Sequence, residues 1–276
     1  MRLDPGDSNE VEDRRDEGGG GGFAIGGRHI GIGGIIILGI LSLIFKRDLI
    51  TPFLGTGGAP TGVANPARDQ AEAPEKQLVI DAITDVQRTW QQTLPNYRLT
   101  RVILFRDVTN SACGTAETAT GPFYCPGDEL VYLDLGFYDE LKERFGVPGE
   151  FAQAYVLAHE VGHHVQKILG IERKVRDAQQ ARPSQANQLS VALELQADCF
   201  AGVWGHSARD RNKIDPADVE SGLAAAAAVG DDRLQRMAGQ RVSPENFTHG
   251  SSAQRVHWFT AGMQSGSIDS CNTFGN

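Results

Sequence analysis

The 276 residues carry 26 basic against 35 acidic side chains, a formal charge of -9, with 40% hydrophobic and 22% charged residues. That length and balance allow one sizeable globular domain with appendages. The acidic excess, with no long basic patch, excludes a general nucleic-acid binder.

Residues 1–29 open with Asp4, Asp7, Glu10, Glu12, Asp13, Asp16 and Glu17 and continue into the glycine run Gly18–Gly22. So few apolar residues predict a disordered tail. Residues 30–47 read as a single-pass transmembrane anchor, because Ile30 to Phe45 runs sixteen residues without a charge between Arg28 and the Lys46-Arg47 pair. As a helix it spans about 24 Å against a hydrocarbon core of about 30 Å, a shortfall that snorkelling and bilayer thinning absorb. A buried core helix and a cleaved signal peptide compete with this reading. The first lacks neighbours to bury a stretch apolar all round, and the second does not start long and acidic. Arg14, Arg15 and Arg28 slightly outnumber Lys46 and Arg47, which puts the N-terminus inside. Residues 48–74, spaced by Pro52, Pro60, Pro66 and Pro74, predict an extended linker.

The folded domain is expected over 75–276. Leu78, Val79, Ala82, Ile83, Val86 and Trp90 recur at helical spacing and stop before Pro95. Arg98–Asp107 and Glu129–Asp134 read as short strands, and Gly136–Phe145 as a helix. After Pro148-Gly149, the residues Phe151, Ala154, Tyr155, Ala158, Val161 and Val165 mark a second amphipathic helix that stops near Leu169-Gly170.

That helix carries His159, Glu160 and His163, an H-E-x-x-H arrangement. Imidazoles at i and i+4 project from one helix face about one turn apart and can share a metal ion. The neighbouring glutamate then takes a proton from the water that a bound zinc polarises. Chance alone produces such a match on the order of once per hundred chains of this composition, so a third ligand is needed. It is sought in Val191–Ala201, an apolar run with two isolated acids, Glu194 and Asp198, at i and i+4. A carboxylate among Val, Leu, Ala and Phe is costly unless a cation or donor meets it. Glu194 is therefore the expected third zinc ligand, and Asp198 an acceptor that orients a ligand imidazole through its other ring nitrogen.

Glu172–Gln188 is polar enough to be an exposed helix and loop, and Asp215-Pro216 opens an alanine-rich helix ended by Gly230. Ser251 or Ser252 caps a last helix through Gln264. His249, in a Thr-His-Gly-Ser loop, is a candidate donor to an oxyanion; His164 stands one residue off the metal-binding face and is expected to bond within the core. The four cysteines all follow the apolar stretch and form no C-x-x-C pair. Two disulfides in an oxidising compartment fit that count. Of the three pairings, Cys113 with Cys125 and Cys199 with Cys271 are favoured, with reduced cytosolic thiols as the alternative.

H-E-x-x-H followed by E-x-x-x-D resembles the gluzincin type of metallopeptidase. The wording around it is Gly121-Pro122-Phe123-Tyr124-Cys125-Pro126, Val131–Leu135, His159–Gln166 and Glu194–Cys199, with Val11–Arg15, Gln254-Arg255 and Trp258-Phe259 towards the ends. It is similar to the bacterial neutral zinc metallopeptidase family, over nearly the whole chain except the linker. The resemblance implies an α+β, predominantly helical, minimal gluzincin-like domain with a small sheet, facing the periplasm from the inner membrane. It also implies a sheet edge that holds an extended protein or peptide substrate, expected at Glu129–Leu135, with an ordinary structural strand there as the equal alternative. The function expected is zinc-dependent hydrolysis of peptide bonds, with Glu160 as general base and the lipid bilayer as the anchor's partner. A non-catalytic module that keeps zinc as a staple and binds an envelope partner, and a hydrolase for a non-peptide amide, are the alternatives.

Overall fold

Strands with two buried faces need cover on both sides, and the sequence supplies helices for one face and a hairpin for the other. The computed structural model describes residues 1–17, 65–117, 121–147 and 149–275. The strands are β1 (Val11–Asp13), β2 (Arg101–Phe105), β3 (Val108–Ser111), β4 (Gly114–Glu117), β5 (Phe123–Cys125) and β6 (Leu130–Asp134). Four of them make one sheet in the order β1-β2-β6-β5, parallel from β1 to β6 and antiparallel between β6 and β5, while β3 pairs with β4. The helices among the described residues are α1 (Pro66–Ala71), α2 (Ala73–Thr93), α3 (Gly136–Glu143), α4 (Glu150–Ile168), α5 (Ile171–Ala181), α6 (Ala186–Asp210), α7 (Pro216–Ala228), α8 (Asp231–Met237) and α9 (Ser252–Ser265). The expected α+β, mainly helical class is the one observed.

Side chains alternate across the sheet, as the pleat requires. Val102, Leu104, Val131 and Leu133 join Val79, Ile83, Val86 and Trp90 of α2 in the main core. Ile103, Phe105, Cys125 and Tyr132 face the other way and form a smaller cluster with Ala116 of the hairpin. Ring pairs bind the helices: Trp90 meets Phe200 edge to face at 5.5 Å, and Phe151 stacks on Trp204 at 5.3 Å.

Several helix ends follow from their residues. Gly149 precedes α4 at φ 119, a conformation only glycine adopts without strain, and Gly170 follows it at φ 71. Asp215 with Asp218 and Ser251 with Gln254 form capping boxes at the starts of α7 and α9. Helix contacts also need glycine. A Cβ built on Gly262 would stand 2.0 Å from the Cys199 carbonyl oxygen, and one on Gly202 2.2 Å from that of Phe259. The backbones of α6 and α9 therefore touch. Between the two motif histidines, a Cβ on Gly162 would lie 3.0 Å from the Ala197 carbonyl oxygen, so α4 also sits close against α6.

The start of the chain departs from expectation. Residues 1–17 are not a free tail: β1 pairs with β2 over Val11 to Asp13, and Gly6 and Asp7 donate their amides to Asp81 and Thr84 of α2. Some of the acids that suggested disorder have found cations, Asp4 with Lys213 at 2.6 Å and Asp13 with Lys76 at 2.8 Å. Arg15 is buried, held by Asp13 and by Glu72 at 2.7 Å. Asn65 caps α1 with its side chain, so the folded part includes residues ahead of the expected start at residue 75.

Residues 18–29, the anchor expected at 30–47 and the linker to residue 64 lie outside the described residues. Among the described residues no helix is long and apolar enough to cross a membrane. A single crossing by 30–47 would put β1 and β2 on opposite sides of a bilayer, so the N-terminus-inside orientation and this sheet are mutually exclusive.

Candidate metal centre

The close approach of α4 to α6 brings the expected ligands together. One donor atom each from His159, His163 and Glu194 lie within 4.8 Å of one another. His159 Nε2 is 3.2 Å from Glu194 Oε2, and His163 Nε2 is 3.5 Å from Glu194 Oε1. A pair of imidazoles with one carboxylate, converging by their outward nitrogens, is a donor set that fits zinc with a position left for water or substrate.

Each imidazole is oriented through its inner nitrogen. His159 Nδ1 lies 2.9 Å from Asp198 Oδ1, the role expected of Asp198. Asp198 is fully buried and also accepts from the Tyr155 hydroxyl and from Arg255, whose Nε and NH2 donate at 2.8 and 2.9 Å. His163 Nδ1 lies 2.9 Å from Gln166 Oε1. His164 turns to the sheet, with Nδ1 against the Tyr124 hydroxyl and Nε2 against the Arg98 carbonyl, and burial pushes its pKa down. It is a core histidine, as its position on the helix predicts.

The electrostatics are those of a site asking for a cation. Burial pushes Glu194 up, but the neighbouring imidazoles more than offset it and hold the carboxylate well below its usual range. Burial pushes His159 down, yet Asp198 and Glu194 raise it to about 10. A raised imidazole beside a depressed carboxylate marks a place that favours positive charge, which a divalent ion would also supply. Burial pushes Asp198 up, but Arg255 and His159 together more than offset it and hold its carboxyl below the usual range.

Glu160 sits beside the ligands, buried, and accepts the Tyr124 amide at 2.8 Å. Burial raises its pKa, against the lowering effect of the nearby imidazoles. The strand that reaches the site is therefore β5. The edge expected at Glu129–Leu135 corresponds to β6, which is paired on both sides, with β2 and with β5, and cannot offer a free edge. A run of three residues in β5 between Gly121-Pro122 and Pro126 was too short to read as a strand.

His249 lies in the loop before α9, where Asp231 Oδ1 meets its Nδ1 at 3.1 Å and Asp231 Oδ2 accepts the amides of Thr248, His249 and Gly250. Burial lowers its pKa, but Asp231 and the field of Glu194 leave it raised. Both favoured disulfides are present, Cys113–Cys125 and Cys199–Cys271, so Cys199 is not a metal ligand. Sequence reasoning gave no role to Arg255, Tyr155, Gln166, Gln196 or Asp231. Arg255 was findable: a lone cation beside Val256, Trp258 and Phe259 raises the same desolvation question as Glu194 and Asp198.

An H-E-x-x-H helix approached by a glutamate from a second helix is the arrangement that zinc peptidases use. The family described as "Putative neutral zinc metallopeptidase" matches residues 3–274, and the chain belongs to it. It is 45% identical to the uncharacterized protein YpfJ of Escherichia coli strain K12, over 98% of this chain and 96% of that one. It is 42% identical to the uncharacterized proteins Mb2605 of Mycobacterium bovis and Rv2575 of Mycobacterium tuberculosis strain H37Rv, over 71% of this chain and 69% of each relative. No solved structure matches the chain.

Proposed function

We propose that this chain is a zinc-dependent peptidase of minimal gluzincin type, acting on protein or peptide substrates in the cell envelope. The observation that carries the reading is the convergence of His159, His163 and Glu194 with Glu160 beside them, its carboxylate fixed by the Tyr124 amide. Zinc, when bound, supplies a Lewis acid that acidifies water and polarises a carbonyl. His159, His163 and Glu194 hold it. Glu160 accepts the proton of the attacking water and returns it to the leaving amine, and its buried, raised pKa suits that exchange better than a surface carboxylate would.

β5, with β6 on only one side, is the edge along which an extended substrate lies, bringing backbone groups to the site by strand addition. His249, held by Asp231 and raised in pKa, is the donor to the oxyanion. An oxidising compartment outside the cytoplasmic membrane is the proposed location of the folded body, residues 1–17 included, and the two disulfides support it. The apolar stretch at 30–47 remains its contact with the bilayer.

The test is Glu160→Gln. It should keep stoichiometric zinc, measured by metal analysis, while lowering turnover of an unfolded protein substrate by about a hundredfold or more. A chelator should abolish wild-type turnover and added zinc restore it. Cleavage that survives Glu160→Gln removes the mechanism. Zinc bound without any turnover in the wild type leaves the stapled binding module.

A further inference from the structure

The two imidazoles are oriented by partners of opposite kind. His159 rests on a buried ion pair, whereas His163 rests on a neutral amide, and that amide begins a chain. Gln166 Nε2 donates to the Leu193 carbonyl at 2.7 Å and to Gln196 Oε1 at 3.1 Å, and Gln196 Nε2 donates to the Cys271 carbonyl at 2.9 Å. Gln166 and Gln196 are both buried.

The direction of every bond follows from its far end. Backbone carbonyls only accept, so both glutamines must turn their NH2 groups towards Leu193 and Cys271, which leaves Gln166 Oε1 for His163 and Gln196 Oε1 for Gln166. Gln166 Oε1 then requires the proton on His163 Nδ1. Nε2, on the Glu194 side at 3.5 Å, is left with the lone pair a metal needs.

The acceptor at the end is set by the tail. Cys271 is buried, fixed to Cys199 of α6 by the disulfide that closes a separation of 72 residues, and Thr273 donates its hydroxyl to the Ala192 carbonyl at 2.5 Å. Without the disulfide, nothing covalent holds that carbonyl over Gln196.

We propose that Gln166 and Gln196 are positioning residues for the second zinc imidazole, and that they make metal affinity depend on the C-terminal tail through Cys199–Cys271. The proposal rests on the zinc reading of His159, His163 and Glu194. Removing an orienting partner of this kind weakens metal binding by about 10- to 100-fold.

The test is competition for zinc against a chromophoric chelator, with the visible spectrum of the cobalt-substituted protein as a second readout and thermal unfolding of the metal-free form as a check on folding. Gln166→Leu should weaken zinc binding by about 10- to 100-fold and shift the cobalt bands. Gln196→Leu, one bond further away, and the double change Cys199→Ser with Cys271→Ser should each weaken it by about tenfold. Should Gln166→Leu fail to fold, Gln196→Leu carries the test. Cys113→Ser with Cys125→Ser, a disulfide outside the chain of amides, should leave zinc affinity unchanged.

His159→Ala separates the two ideas. If it fails to weaken zinc binding, the zinc reading falls. If it does weaken binding while Gln196→Leu and the Cys199–Cys271 change keep wild-type affinity and cobalt spectra, the metal site stands and the relay is overturned. Equal loss from both disulfide changes also overturns it, by reducing the effect to general loosening.

Discussion

The helical side of the molecule and the sheet side meet at Glu160, and they contribute unlike things. Among the described residues α4 and α6 supply the three donors of the candidate cluster, and α9 supplies Arg255 to the buried Asp198. The sheet supplies no donor to the cluster; it reaches the site through Tyr124, whose amide holds Glu160 and whose hydroxyl meets His164. In the proposed mechanism, holding the metal and aiming the base thus fall to different structural units. Damage to the helices should cost metal, and damage to the sheet should cost rate with metal retained.

The largest expected effect is on the helical side. Asp198→Ala removes the orienting acceptor of His159 and leaves Arg255, 4% exposed, without its carboxylate. Zinc affinity should fall by about 10- to 100-fold, and the metal-free protein should lose about 3–5 kcal/mol, the cost of an unpaired buried charge. Adding Arg255→Met should recover much of the stability and none of the affinity. Chelator competition and denaturant unfolding measure the two separately. Wild-type affinity in Asp198→Ala would break the comparison at its strongest point.

The sheet side should respond differently. Cys125 follows Tyr124 in β5 and is bonded to Cys113 beside the β3–β4 hairpin. Opening that bond by Cys113→Ser with Cys125→Ser should cost about 3 kcal/mol of stability, from the loop it no longer closes. With β5 freer, the Tyr124 amide holds Glu160 less tightly, and kcat should drop about tenfold, roughly the worth of one charge-assisted hydrogen bond. Zinc content should stay at the wild-type level. Metal lost along with rate would mean the two sides are not separate.

The same division governs what could be read from the sequence. The helical side was legible because its signals are local: two imidazoles four residues apart, two acids four residues apart in an apolar run, caps at Asp215 and Ser251. Hydrophobic periodicity finds the helices, and the cost of a buried charge finds the ligands. The sheet side was legible only in part: β2 and β6 fall within the expected runs Arg98–Asp107 and Glu129–Asp134, but the pairing and the other strands did not show. β1 pairs in parallel with a strand some ninety residues later, and nothing in Val11-Glu12-Asp13 announces that partner. Composition counted the acids of residues 1–17 as unsatisfied, although Lys213 meets Asp4 and both Lys76 and Arg15 meet Asp13 in the fold. The parallel pairing of β2 with β6 likewise left open which strand would be the edge.

β1 offers the smallest effect and the sharpest consequence. Arg15→Ala deletes a buried cation from the strap, yet Asp13 keeps Lys76 and Glu72 keeps Arg68 and Arg106. With those carboxylates still partnered and partly solvated, the loss should be about 1–2 kcal/mol, below that of a fully isolated charge, and zinc affinity should not change. The strap also fixes topology. If β1 belongs to the sheet in cells, Ser8→Cys and Glu245→Cys, both at exposed positions, lie on one side of the membrane. A membrane-impermeant maleimide should then label both in intact spheroplasts or neither. Labelling of Glu245→Cys alone would restore the single crossing and the N-terminus inside, and β1 would then be absent from the sheet of the membrane-borne protein. Arg15→Ala would in that case cost nothing there, so stability and labelling must agree.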